Sequence, residues 1–477
     1  MRPPRTLIQW RPLLLRHPPA RLRLFQHNPR RNLLTLAIET SCDDTCVAVL
    51  SKHSSRATLH FNRKITSDHR AYGGVWPPVA LRSHDASLAP LIAESLSHLP
   101  PATALPTTDN DNTLTISGVA RQKPDFVAVT RGPGMSANLA TGLSAAKGLA
   151  VAWGVPLLAV NHMQAHALTP RLVAALAGKS KTTTTMTDED DDNHPAFPFL
   201  TLLVSGGHTQ LVHSSSLTTH RILANTIDVA VGDALDKAAR DILPPEILAA
   251  HGDVMYGALL ERFAFPPDGT SAGIDQTNPA DYDYEYTPPA RRADEVLTVC
   301  APAPYTWKLT PPMQRSRQLV YAFAGLGSQL RRVAEAGGAD MTLDERRALA
   351  RAAMRLIFEH LASRVFIALD AEPGLKDGLR TLVVSGGVAS NRFLMHVLRG
   401  MLDARGFGHV EVTAPPAALC TDNAAMIAWT GMEMYEAGWE TALSVSCLKK
   451  WSVDPASDEG GILGIGGWLR RDREKSS

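Results

Sequence analysis

Residues 33–50 read LLTLAIETSCDDTCVAVL. Two short apolar runs, 33–39 and 45–50, flank the polar turn Thr40-Ser41-Cys42-Asp43-Asp44, the pattern of two strands joined by a tight turn. The plan recurs at 199–205 and 209–213 around Gly206-Gly207-His208. Elsewhere strands alternate with helices. Strand 126–130 leads through Arg131-Gly132-Pro133-Gly134 into a small-residue helix, 136–153, followed by strand 156–160. Strand 382–385 feeds Gly386-Gly387 and a helix from Asn391. Leu349, Ala353, Ile357, Leu361 and Val365 recur every fourth residue and mark a long amphipathic helix. Such alternation argues for an α/β architecture with helices covering the sheets.

At 477 residues the chain is too long for one core, so two or three domains are expected. Hydrophobic residues at 44% and charged residues at 20% exclude a wholly disordered chain. The net charge is only +1, so binding a polyanion would need a local basic patch. No apolar run reaches membrane-span length; the nearest, 148–160, is broken by Gly154 and Pro156. Five scattered cysteines, Cys42, Cys46, Cys300, Cys420 and Cys447, argue for a reducing compartment. Residues 1–38 carry eight arginines, no lysine and no acid, as a mitochondrial import segment would, although its prolines limit any helix to a fragment. Segments 100–115, 181–193 and 265–297 read as surface insertions, the second by its acidic low-complexity run KTTTTMTDEDDDN.

The sharpest chemical signal is Asn161-His162-Met163-Gln164-Ala165-His166, directly after a strand. On a helix His162 and His166 fall at i and i+4 and project from one face, a spacing that suits two imidazoles on one divalent metal. Surface or core histidines would give the same spacing. A zincin needs a glutamate after the first histidine as general base, and here that position is Met163. Cys420-Thr421-Asp422-Asn423 opens another helical run and offers Asp422 as a third ligand, or Asp422 or Thr421 as a helix cap. The glycine turns Ser205-Gly206-Gly207 and Ser385-Gly386-Gly387 would let backbone amides approach a phosphate. Asp236, in Gly232-Asp233-Ala234-Leu235-Asp236-Lys237, could bind ribose hydroxyls or pair with Lys237 or Arg240.

Taken in order, LAIETSCDDT, HRAYGGVWPPVALRSH, TRGPGM, VNHMQAH, LLVSGGHTQLV, VGDALDK, VVSGGVASNRFL and CTDNAAMIA resemble the TsaD/Kae/Qri family, the tRNA adenosine threonylcarbamoyltransferases of the actin–sugar kinase–Hsp70 superfamily. The likeness spans about residues 36–435, and the arginine-rich front end is similar to the mitochondrial branch. It implies an α/β fold of two lobes, each a ribonuclease-H-like sheet with helices, with the site between them. The implied division is a targeting segment 1–33, lobes 34–195 and 196–450, helix 421–437 packed back between the lobes, and a tail 451–477. One divalent metal, iron or zinc, would be held by His162, His166 and Asp422. Leu203, Val204, Ser205, Gly206, Gly207, Asp236, Gly257 and Asn391 would bind threonylcarbamoyl-AMP, and Asp43 would orient donor or acceptor. The implied reaction moves the threonylcarbamoyl group to the exocyclic amine of the adenosine 3′ of the anticodon in ANN-decoding tRNAs, releasing AMP, in the mitochondrial matrix. The likeness also allows a homodimer and calls for no membrane. A metal-dependent glycoprotease and an actin-like ATPase or kinase are the rival activities. Three segments depart from the family pattern: Met255-Tyr256-Gly257-Ala258 in place of Pro-Gly-Gly-Pro, Phe323-Ala324-Gly325-Leu326-Gly327-Ser328 without its lysine, and Gln164-Ala165 between the histidines.

Overall fold

The computed structural model describes residues 32–72, 74–102, 112–178, 194–252, 255–266, 282, 284–291 and 294–471. The expected targeting segment, save its last two residues, and the insertion 181–193 lie outside the described residues, as do parts of the other two insertions.

Residues 33–50 form the antiparallel pair Leu33–Glu39 and Asp44–His53, and Arg56–Thr66 adds a third antiparallel strand. On its other edge Leu33–Glu39 pairs in parallel with Phe126–Gly132, which pairs in parallel with Leu157–Asn161. The second sheet repeats this plan. Phe199–Val204, Thr209–Ser216 and Thr219–Thr226 run antiparallel in sequence, while Thr381–Ser385 and then Glu411–Thr413 add in parallel on the far side of Phe199–Val204. Two sheets with the same strand order and the same switch from antiparallel to parallel are the expected two-lobed α/β fold in duplicate.

The central strands are apolar in nearly every position and are buried on both faces, since helices cover each side. In the second lobe the helix Leu343–Ala371 differs from its expected form. From Leu349 to Leu369 almost every residue is buried, so it is a core helix rather than an amphipathic surface helix, and its polar residues are tied internally. Ser363, for instance, donates to the carbonyl of His360 on the preceding turn.

The chain's end departs from the expected boundary at 450. The helix Ala424–Glu436 is buried around nearly its whole circumference, its Glu433 paired with Arg171, and packs against the first sheet and the helix His162–Leu176. Residues from both sheets, among them Phe126, Phe199, Leu203 and Val383, share one core with Trp429 of this helix. Trp439–Thr441 and Trp468–Arg470 then extend the first sheet beside Leu157–Asn161, and Trp451 is buried in the same core. Among its described residues the expected tail thus adds a strand to the first sheet and side chains to this core, because Trp451 and Trp468 give it apolar surface to bury.

Candidate active site

His162 opens the helix His162–Leu176, whose N-cap is Asn161, with Oδ1 accepting from the amides of Met163 and Gln164 at 2.8 and 3.1 Å. The cap fixes the first turn, so His162 and His166 stand one above the other, ring centroids 4.7 Å apart and nearly perpendicular. Asp422 arrives from the far end of the chain. Its Oδ1 lies 3.1 Å from His166 Nε2 and 3.5 Å from His162 Nε2, and ligand atoms of the three residues all fall within 4.8 Å of one another. Asp422 is not a helix cap: Asn423 caps Ala424–Glu436, accepting from the Met426 amide at 2.9 Å.

Behind His162 is a residue the sequence reading left without a role. Glu39 ends the first strand fully buried, with Oε2 3.2 Å from His162 Nδ1 and Oε1 accepting from the Ser41 amide at 2.5 Å. The hydroxyl of Thr130, from the neighbouring parallel strand, donates to the same carboxylate. A histidine with one nitrogen on a carboxylate and the other facing a ligand group is the usual support of a metal-binding imidazole. Burial alone would keep His162 neutral; the carboxylates of Asp422 and Glu39 outweigh it and raise its pKa to about 10. Burial likewise opposes charge on Asp422, yet the two imidazoles hold it well below the ordinary carboxylate range. Two nitrogens and one carboxylate oxygen, converging and backed by a second carboxylate, fit a divalent zinc or iron ion. An acid ending an otherwise apolar strand was the signal for Glu39.

The residues expected to bind a nucleotide lie on the strand ends, turns and helices of the second lobe. Leu203 and Val204 are buried in their strand and carry the turn from Ser205, whose Oγ accepts from the His208 amide at 3.0 Å and the Gly207 amide at 3.3 Å. Gly206 and Gly207 are exposed and open: a Cβ on either would meet nothing within 4 Å. The glycines that close approach requires are their neighbours. A Cβ on Gly232 would lie 2.8 Å from the Gly206 nitrogen, and one on Gly386, at φ +100°, would lie 2.4 Å from the Val204 carbonyl oxygen. Ser385 Oγ donates to the His166 carbonyl at 2.9 Å, which ties the second glycine turn to the helix of the two histidines. Asn391 caps the helix Arg392–Ala404 through Oδ1, while its Nδ2 is buried with no partner, a donor left for a ligand.

Asp236 Oδ1 accepts from the amides of Tyr256 and Gly257 at 2.7 and 2.9 Å, bringing Asp236 and Gly257 together. It is not paired with Lys237, which bonds Asp233 at 2.7 Å. Asp43 is buried in the first turn, its carbonyl accepting from the Ser67 amide at 3.1 Å and its carboxylate 3.9 Å from His69 Nε2. It stands apart from the three converging side chains. His208, at the end of the first glycine turn, is held down at about 4 by burial and by the two nearby imidazoles, so it is neutral and faces the group.

A two-lobed α/β fold that brings two imidazoles and a carboxylate together between its sheets, beside open glycine turns, has the side chains a divalent-metal enzyme needs. The family model for TsaD, tRNA N6-adenosine threonylcarbamoyltransferase, matches residues 59–273 and 281–429, and the chain belongs to that family. The mitochondrial tRNA N6-adenosine threonylcarbamoyltransferase of Schizosaccharomyces pombe is 33% identical over 93% of this chain and 91% of its own. The enzyme of the same name from Novosphingobium aromaticivorans is 33% identical over 88% and 96%, and that from Agrobacterium fabrum 31% over 91% and 97%. Among the described residues no helix is long and apolar enough to cross a membrane.

Proposed function

We propose that the chain transfers a threonylcarbamoyl group from threonylcarbamoyl-AMP to N6 of the adenosine 3′ of the anticodon in ANN-decoding tRNAs. Family membership makes it a tRNA-modifying transferase. The observation that carries the site assignment is the convergence of His162, His166 and Asp422, with Glu39 fixing the first imidazole. These three side chains would hold one divalent ion, zinc or iron, which supplies Lewis acidity toward donor oxygens when bound. Leu203 to Gly207 would bind the adenylate, the open space over Gly206 and Gly207 leaving room for it. The free Nδ2 of Asn391 donates to it, and Asp236 holds the Tyr256–Gly257 turn against it. Asp43, at the first turn, orients the entering groups. The adenosine amine forms a bond to the carbamoyl carbon and loses a proton as the bond from that carbon to the phosphate oxygen breaks and AMP leaves. The peptidase alternative is not favoured: Met163 stands where a base is needed and is buried. Neither is an ATPase or kinase.

The lobes are 34–195 joined by 421–470, and 196–420. The acid-free arginine segment and the mitochondrial relative support a location in the mitochondrial matrix. The test is Asp422→Ala beside His162→Ala and His166→Ala, with metal read by elemental analysis and products by nucleoside mass spectrometry. All three variants are expected to lose metal and tRNA modification together. Full metal occupancy in Asp422→Ala alone would remove it from the ligand set.

A further inference from the structure

The motif HRAYGGVWPPVALRSH supplied a fold marker and nothing else to the site, yet it places two aromatic rings in the open. Tyr72 and Trp76 are 50% and 49% exposed, stacked with ring centroids 5.6 Å apart and planes 3° from parallel. Solvent-facing stacked rings of this size need a reason, because each leaves a large apolar face in water. Each has its amide tied to His69, Tyr72 donating to the His69 carbonyl at 2.9 Å. Trp76 precedes Pro77-Pro78, which restricts it to extended geometry (φ −108°, ψ 109°), and it sits at the N-cap of the helix Pro77–Leu96. Its amide donates to His69 Nδ1 at 3.2 Å, so the proton of that ring is on Nε2, which meets Ser67 Oγ at 2.8 Å. Ser67 Oγ in turn donates to the Asp43 carbonyl at 2.9 Å.

The same turn reaches the metal ligands from its other side. Lys64 Nζ bridges Asp44 Oδ2 at 3.0 Å and Thr421 Oγ1 at 3.1 Å, and Thr421 adjoins Asp422. The backbone of the stacked pair is thus tied through His69 and Ser67 to the first turn, which Lys64 joins to the residue before Asp422.

We propose that Tyr72 and Trp76 form a stacking platform for an unpaired base of the substrate's anticodon loop, next to the adenosine that is modified. This rests on the transferase reading above. An exocyclic amine can reach a buried centre only if its base leaves the loop's stack, and a flanking base then loses its neighbour. RNA loops are recognised through such splayed bases on aromatic side chains, and a stacked pair of rings tied to the first turn replaces the lost stacking. Charge is a weak alternative here: Arg70, two residues before Tyr72, is already paired with Asp68 at 2.5 Å, and Lys64 with Asp44.

The experiment uses the full chain with a fluorescently labelled anticodon stem-loop RNA, its blunt-ended stem duplex as control, and binding read by anisotropy. Trp76→Ala and Tyr72→Ala should each weaken stem-loop binding about tenfold, the lower end of what one lost base stack costs. Trp76→Phe should restore most of it, metal content should be unchanged, and the dependence on salt should keep its slope because no phosphate contact is lost. Wild-type stem-loop affinity in both alanine variants would overturn the platform, as would an equal loss on the duplex. A changed oligomeric state with intact RNA binding would make the pair a protein interface instead. Nucleoside mass spectrometry on the wild-type protein separates the two layers. If wild type modifies tRNA and the variants bind normally, only the platform fails. If wild type does not modify tRNA, the transferase reading fails first.

Discussion

Glu39 Oε2 lies 3.2 Å from His162 Nδ1, so the last residue of the first strand holds the imidazole whose other nitrogen faces Asp422. Both residues are buried, and Thr130 and Ser41 hold the carboxylate in turn. The relationship joins the sheet to the metal ligands: the strand register sets Glu39, and Glu39 sets the ring.

Glu39→Gln keeps the side chain's shape but removes the charge that steadies this ring. Metal affinity should fall by about 10- to 100-fold, the usual effect of losing a carboxylate behind a ligating histidine. Titration with zinc against a competing chelator measures it. An unchanged affinity would mean that Glu39 only satisfies the strand end.

Asp236 gives a pH signature. Burial lifts its pKa to about 6, partly offset by the Tyr256 and Gly257 amides. Because the folded value lies above the ordinary aspartate value of 3.8, the folded state takes up a proton more readily than the unfolded chain. Its contribution to stability is therefore present below about 3.8 and is lost as pH rises through about 6. Asp236→Asn retains the Oδ1 acceptor and removes the charge. Urea midpoints at pH 4.5 and 7 should show the variant gaining on wild type at the higher pH, and a parallel dependence in both proteins would refute the assignment.

Gly431 marks how closely the helix Ala424–Glu436 approaches the first sheet. A Cβ there would lie 2.9 Å from Ala128 Cβ and 3.2 Å from the Phe126 ring. Gly431→Ala would normally stabilise a helix; here overpacking should dominate, destabilising the protein by about 1–3 kcal/mol. Because Asp422 is placed just before this helix, tRNA modification should fall in the same variant. Urea unfolding and a nucleoside assay check both, and a stabilised Gly431→Ala protein would contradict the packing.

Local patterns were enough to read the strand at 33–39, the small-residue helix 136–153 and the histidine pair, because apolar period and side-chain spacing act within a few residues. The order of eight motifs named His162, His166 and Asp422 together, and these three side chains do converge. What stayed hidden depends on contacts distant in sequence. Glu39 and His162 are 123 residues apart, and His166 and Asp422 256 apart. The choice of Asn423 rather than Asp422 as helix cap is a matter of backbone geometry, since either side chain can serve. The tail's return to the first sheet required knowing where its tryptophans could find a core. Which short segments become strands and helices, and which side chains are able to bind a metal, follow from local chemistry along the chain. Which of those side chains meet follows from the packing of the two sheets, because burial between them brings together groups that no spacing along the chain relates.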